Sequence, residues 1–332
     1  MIDRPAQLPI SVVLVTWNSA DVLAACLGAL PDSEPQPAEL VVVDNASADG
    51  SAEIVQSLAH PTGIEARIIR NDRNTGFAAA VNQGIAAAAQ PFVFLLNPDV
   101  RLLPETLRTL HDRLAWAPPD VAAVGGKLLR ASGNDLAATE VIDSTGIVMT
   151  RDGRHFDRGA EEPDRGQFDR EEEVFGITGA AVLFRREALD RSTVDGQVFD
   201  EDFFAFREDA DLAWRLRGFG YRALYCPSAV AYHRRTVTPE RRRRLDPAVN
   251  YHSVKNRFLL RIHHADRGWL AHFGLRSFLR DLVVIGACLT IERSSLPAFA
   301  WLLRDLPRHL SRRREILRRR RTSSAALRAW FA

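Results

Sequence analysis

Phe92-Val93-Phe94-Leu95-Leu96-Asn97-Pro98-Asp99 is the stretch that decides the fold. Its apolar run is too short for a typical helix and reads as a strand buried on both faces, closed by an Asn-Pro-Asp turn. Val41-Val42-Val43-Asp44-Asn45 ends in the same way, and residues 10–15 form a further apolar run ending at Thr16-Trp17-Asn18. Residues 66–69 supply another strand. Helical patterning fills residues 18–30, 51–59 and 75–89. This alternation predicts an α/β fold, a Rossmann-like, mostly parallel sheet flanked by helices.

Farther along, the pattern predicts a helix over 104–114, a strand over 121–129, and hairpins with a mobile loop in the Gly- and Asp-rich stretch 131–173. A strand or strand–turn over 175–184, a helix over 208–218 and a strand over 221–225 follow. From residue 239 the chain turns into Arg-rich helices punctuated by Pro297 and Pro307. The expected division is therefore a catalytic domain over 1–238 and a basic helical region over 239–332.

The formal net charge of +2 hides an asymmetry: residues 234–332 hold 23 Lys and Arg against 7 Asp and Glu, while residues 1–233 hold 21 against 35. Each part is expected to meet different partners. Cys26, Cys226 and Cys288 are few and far apart, without zinc-ligand or disulfide spacing, which fits a reducing compartment. Residues 1–9 lack a signal-peptide core, and the apolar run 282–291 is short of the about 20 residues that span a bilayer. A cytoplasmic protein is the expectation, with the inner face of the membrane as one candidate surface for the basic tail. Basic amphipathic helices suit an anionic membrane surface, and packing on the catalytic domain or a homodimer interface is the competing use. No nucleic-acid partner is expected, because aromatic residues do not interleave with the arginines.

In open α/β sheets, ligands bind outside the carboxyl ends of the strands. Thr16, Trp17, Asn18, Asp44, Asn45, Asn97 and Asp99 all fall there. Asp44 is placed to accept the N3–H of a uracil or thymine ring, or else to cap a turn. Asp99 suits a hard divalent cation bridging phosphates, with His233 as a second contact. Glu208, Asp209 and Asp211 crowd one helix start, where the dipole favours carboxylates. Residues 208 and 211 share a face that 209 does not, and Arg215 is in reach of Asp211.

Taken together, these segments resemble the family 2 glycosyltransferases of GT-A fold, and most strongly their rhamnosyltransferase-like branch. The resemblance rests on Thr16-Trp17-Asn18, Val43-Asp44-Asn45-Ala46-Ser47-Ala48-Asp49-Gly50-Ser51, Asn74-Thr75-Gly76-Phe77-Ala78, Leu96-Asn97-Pro98-Asp99 and Gly176-Ile177-Thr178-Gly179. It continues through the acidic block 199–215, His233 and Asn256-Arg257, and covers about residues 10–260. It implies Asp209 as catalytic base. Thr16, Trp17, Asn18, Asp44, Asn45, Asn74, Gly76, Phe77, Asn97 and Asp99 are implied on the donor side. Gly179, Glu208, Trp214 and Arg215 are implied on the acceptor side, with Asp99 and His233 holding Mg²⁺ or Mn²⁺. The partners implied are a nucleotide-diphosphate sugar and a glycan or lipid-linked acceptor.

Two departures matter. The usual D-x-D turn is Asn97-Pro98-Asp99, with one charge, and the usual small loop after the histidine is Arg234-Arg235-Thr236-Val237-Thr238. Those arginines are candidates to neutralise a leaving diphosphate. The expected reaction is an inverting transfer, with dTDP-rhamnose as the favoured donor and UDP-hexoses or UDP-galactofuranose as alternatives. A non-catalytic nucleotide-sugar-binding partner is the competing class. An NAD-type oxidoreductase is excluded, because no G-x-G-x-x-G follows the first strand.

Overall fold

A computed structural model describes residues 7–59, 63–235 and 246–332. The chain runs β1 (Leu8–Thr16), α1 (Ala20–Gly28), β2 (Pro37–Asp44), α2 (Ser51–Ala59), β3 (Glu65–Arg70), α3 (Phe77–Ala87) and β4 (Phe92–Leu96). Among these strands the spatial order is β3-β2-β1-β4, all parallel. Alternate residues of β1 serve opposite faces. Ile10, Val12 and Leu14 join a core under α1 and α2, and Val13 and Val15 join another under α3. Both faces being covered explains why β1, β2 and β4 read as nearly unbroken apolar runs, whereas β3 at the sheet edge is part-exposed. Helix α3 lies close on the sheet because Gly84 has no side chain; a Cβ there would stand 2.4 Å from Val13 Cγ1.

The sheet continues through β5 (Val100–Leu102), α4 (Thr106–Ala115), β6 (Val121–Ser132), β7 (Ala137–Ser144), β8 (Ile147–Met149), β9 (His155–Asp157), β10 (Glu172–Val174), β11 (Ala181–Arg185) and α5 (Arg186–Ser192). Helix α6 (Glu208–Gly218) and strand β12 (Arg222–His233) follow. This half is mixed: β11 is antiparallel to β4 and β6, whereas β12 runs parallel to β6. Two sequence expectations change. Residues 175–180 are loop, with the strand starting at Ala181. The strand expected over 221–225 runs on to His233, across a register shift between Cys226 and Val230. Pro227, which lacks an N–H, lies within that shift and hides the continuation from pattern reading.

The C-terminal helices are α7 (Pro247–His264), α8 (Arg267–Thr290), α9 (Pro297–Arg304), α10 (Leu306–Arg319) and α11 (Ser324–Arg328). They share a core with α6: Ala210, Ala213 and Trp214 pack with Leu259, Leu260, Trp269, Leu302 and Phe331. The chain end is tied back, with Ala332 N–H donating to Met149 O at 2.9 Å. The boundary expected at 238/239 and the run Arg241–Arg244 lie outside the described residues.

Candidate active site

The turns after β1 and β2 interlock. Asn18 N–H donates to Ser47 Oγ at 3.0 Å, Ala48 N–H donates to Asn18 Oδ1 at 2.8 Å, and Ala20 N–H donates to Asp49 Oδ2 at 2.9 Å. Asp49 and Ser51, which accepts from Ser19 N–H at 2.9 Å, thus serve the start of α1. Trp17 projects from this rim, 54% exposed. Asp44 is buried; Ser47 N–H reaches its Oδ2 at 3.4 Å, and its Oδ1 has no hydrogen-bond partner among the described residues. Thr16 Oγ1 and Asn97 Oδ1 are likewise buried and unpartnered. Buried polar atoms without partners are costly, so these three are candidate ligand contacts.

Several residues read as ligand contacts turn out to build the fold. Asn45 donates to Asn74 Oδ1 and Gly76 O, and its Oδ1 accepts from Asn71 and Thr75. Its hydrogen-bonding capacity is consumed in holding the 71–76 loop on β2. Asn74 Oδ1 also accepts from Gly76 N–H at 2.9 Å. Gly76 has φ of +89°, and a Cβ would meet Phe204 Cδ2 at 2.5 Å. Phe77 packs on the α3 core. Trp214 and Arg215, expected on the acceptor side, are 3% and 0% exposed. Trp214 stacks on His264 with ring centroids 5.1 Å apart, and Arg215 pairs with Asp211 at 2.7 Å. Neither lines a cleft, because α6 is covered by the C-terminal helices.

Asp99 and His233 do meet. Strand β5 is antiparallel to β12 with Val100 opposite His233, which brings His233 Nε2 to 3.4 Å from Asp99 Oδ1. On the other side of the ring, Nδ1 lies 2.7 Å from Asp143 Oδ2. Asp143 also pairs with Arg130 at 2.9 Å and Arg235 at 3.1 Å. Burial disfavours the imidazolium, but the flanking carboxylates of Asp99 and Asp143 outweigh it and raise His233 to about 10. Asp143 was missed in the sequence. It lies in the weakly patterned stretch, and only the pairing of β7 with β6, and of β6 with β12, brings it to the histidine. Arg235 pairs with Asp143 and Asp157, and Arg234 pairs with Asp21 at 2.9 Å. Both already have carboxylate partners, with which a leaving diphosphate would compete. Residues 236–238 lie outside the described residues.

No group of three or more His, Cys, Asp or Glu among the described residues forms a ready-made metal site. The donor set still fits a hard cation of the kind held by one or two carboxylates plus substrate phosphates. Asp99 is part-exposed, and His233, held at Nδ1 by Asp143, would join it as a ligand only on releasing the Nε2 proton that the two carboxylates favour.

The base expected at Asp209 adjoins this turn. Asn97 N–H donates to Ala180 O at 2.8 Å, and the preceding Gly179 N–H donates to Asp209 Oδ2 at 3.2 Å. Ala210 N–H donates to Asp209 Oδ1 at 2.7 Å. Burial raises Asp209 above an ordinary aspartate, and these two N–H groups only partly offset it. The neighbouring Glu208 is buried and rises to about 8, through burial first and then the Asp209 charge. Near neutrality burial therefore leaves Glu208 largely protonated.

A stability test follows. The unfolded glutamate ionises near 4.5 while the folded one keeps its proton to about 8. A raised folded pKa gives stability that is full at low pH and is lost as pH rises through this window. Glu208→Gln should remove that loss, so its stability relative to wild type should grow by about 2–4 kcal/mol between pH 5 and pH 8. Urea unfolding at several pH values reads this out. Parallel profiles for the two proteins would mean that Glu208 ionises normally.

The chain is similar to several known glycosyltransferases. A Mycobacterium tuberculosis protein described as N-acetylglucosaminyl-diphospho-decaprenol L-rhamnosyltransferase is 29% identical over 313 residues, covering 86% of this chain and 93% of that one. In structure, the chain resembles GalNAc-T7 bound to UDP, GalNAc and Mn²⁺, with TM-score 0.62 and 14% identity, covering 80% of this chain and 50% of that one. It also resembles a Pyrobaculum calidifontis mannosyltransferase bound to GDP-Man and Mn²⁺, with TM-score 0.51 and 20% identity, covering 99% and 89%. These likenesses agree with the expected GT-A fold. Residues 11–193 match the family described as "Glycosyl transferase family 2", and the chain belongs to that family of glycosyltransferases.

Proposed function

We propose that the chain is an inverting rhamnosyltransferase. It would move L-rhamnose from dTDP-rhamnose to a hydroxyl of a lipid-linked glycan in the synthesis of a bacterial cell-surface polysaccharide. The observation that carries an acid–base transfer is Asp209, a desolvated carboxylate held by two backbone N–H groups next to the Asn97–Asp99 turn. The choice of sugar and acceptor rests on the name of the mycobacterial relative.

In this reading, Asp44 Oδ1 accepts the N3–H of the base, a group that thymine and uracil share. Trp17 offers an exposed ring beside it. Asp99, with His233 behind it, would hold Mg²⁺ or Mn²⁺, which supplies positive charge for the diphosphate. Asp209 takes the proton of the acceptor hydroxyl. The hydroxyl oxygen then bonds to the anomeric carbon as the bond from that carbon to the diphosphate oxygen breaks. The electron pair of that bond leaves with the nucleoside diphosphate. Asp143 orients His233, and Glu208, kept protonated by burial, leaves Asp209 as the ionised member of its pair.

The test is binding and hydrolysis of a panel of dTDP- and UDP-sugars with Mg²⁺ or Mn²⁺, then with EDTA. Preference for dTDP-rhamnose supports the reading, and preference for a UDP-hexose or UDP-galactofuranose replaces the donor. Asp99→Ala should weaken metal-dependent donor binding by about tenfold or more, the loss of one charge-assisted contact. Unchanged metal dependence in that variant would remove Asp99 from the metal.

A further inference from the structure

Helix α8 is apolar on the side that faces away from the protein. Leu275, Phe278, Leu279, Leu282 and Leu289 recur at helical spacing, and they are 74%, 57%, 54%, 49% and 56% exposed. Val283 and the following Ile291 extend the strip, at 59% and 81%. The opposite side is committed to the fold. Trp269, Ser277 and Cys288 are buried, and Asp281 turns inward to pair with Arg257 at 3.3 Å and Arg261 at 2.7 Å. The polarity of an ordinary surface helix is thus inverted, with the acid inside and the large apolar residues outside.

Of the charges bordering the strip, four are basic and one, Glu292 next to Ile291, is acidic. Arg276 and Arg280 are exposed along one edge, each one residue beyond a strip leucine, and Arg267 and Arg293 are exposed at its two ends. Asp266, at the helix start, is engaged by Arg320 and by Trp269 N–H. Most other arginines of this region are consumed internally. Arg312 reaches Asp200 at 2.9 Å, and Arg313 donates to Ile262 O at 2.8 Å. The basic edge of α8 is therefore a local feature, and not a consequence of the overall charge of the tail.

We infer that this face of α8 docks on an anionic phospholipid bilayer, lying in the plane of the interface. Apolar side chains would enter the acyl boundary while the edge arginines meet lipid phosphates. A second copy of the chain complements the strip less well. A two-fold contact of α8 with α8 would bring Arg276 and Arg280 toward their own counterparts, with no exposed acid on the helix to meet them. Nor does the helix suit a span. No single helix of the described residues is long and apolar enough to cross a membrane. The pair Arg267–Thr290 and Arg293–Arg304 passes on composition only as a broken span bent by 111°, and one side of α8 is already packed on α7. The inference does not depend on the identity of donor or acceptor.

Sedimentation of the full chain with vesicles tests it. Binding is expected to phosphatidylcholine vesicles containing phosphatidylglycerol, to weaken with added salt, and to be much poorer with phosphatidylcholine alone. Leu279→Glu/Leu282→Glu and Arg276→Glu/Arg280→Glu should each lower partitioning by about tenfold or more. Neither pair lies in the proposed nucleotide site, so donor-nucleotide binding should be unchanged and would report that the variants fold. Failure of either wild-type protein or both variants to behave this way overturns the inference: no sedimentation of folded wild type with either vesicle, or undiminished binding by both variants. A dimer broken by Leu279→Glu/Leu282→Glu, without vesicle binding, would assign the face to a second copy. Loss of donor selectivity with vesicle binding intact would count against the proposed reaction alone.

Discussion

Asp209→Asn is expected to lower kcat by about 10²–10⁴-fold, the usual contribution of a general base, while donor affinity stays within a factor of a few. The amide keeps the size of the side chain and one acceptor for Gly179 N–H, but it cannot take a proton. Asp209 titrates above an ordinary aspartate because of burial, so the wild-type rate should fall on the acid side at a pH above the usual 3.8. That limb should flatten in the variant. Single-turnover kinetics with saturating donor, together with donor titration, separate the two quantities. Affinity and rate falling in parallel would make Asp209 a donor-binding or structural residue instead.

The largest expected effect on stability is at Asp211. Its carboxylate is fully buried, accepting from Arg215 at 2.7 Å and meeting His264 Nε2 at 2.7 Å. Burial opposes its charge, but Arg215 and then His264 hold it well below the ordinary carboxylate range. Asp211→Ala leaves Arg215 buried with Ser192 O as its remaining close partner, at 3.0 Å. Removing one member of a buried pair costs about 3–5 kcal/mol, and urea unfolding should show a loss of that size. The double variant Asp211→Leu/Arg215→Met should recover much of it, because it removes the stranded charge as well. A single-variant loss below about 1 kcal/mol would mean that water or a rearranged partner reaches Arg215. The depressed pKa gives stability present at neutral pH and lost below the ordinary aspartate value of 3.8, so the wild-type and Asp211→Ala curves should converge in acid.

The first hundred residues are legible because β1, β2 and β4 are buried on both faces and the turns that end them carry their own signals. Helix α2 and strand β4 fall where the pattern places them, and α1, α3 and α4 differ by a few residues at their ends. Legibility falls in 131–235 outside α6, which spans Glu208–Gly218 as the pattern predicts. There the strands are short or irregular, and β12 is interrupted by a register shift at Pro227. Within the acidic block, spacing alone pairs Asp211 with Arg215, as found. It does not reveal that both are sealed beneath α7 and α10.

The sequence by itself determined the order of strands and helices in the first half, the family, and the short set of carboxylates that end strands or open α6. It did so because periodicity and turn chemistry are local, written within a few consecutive residues. Tertiary structure alone decided which polar residues are spent. Asn45 ties a loop and Arg215 neutralises a buried acid, while Asp44 Oδ1 is left unpartnered among the described residues. It also decided that Asp143 stands behind His233, and that the apolar strip of α8 faces out. Those outcomes depend on which distant segments pack together, and burial of a side chain is a property of its neighbours in space rather than in sequence.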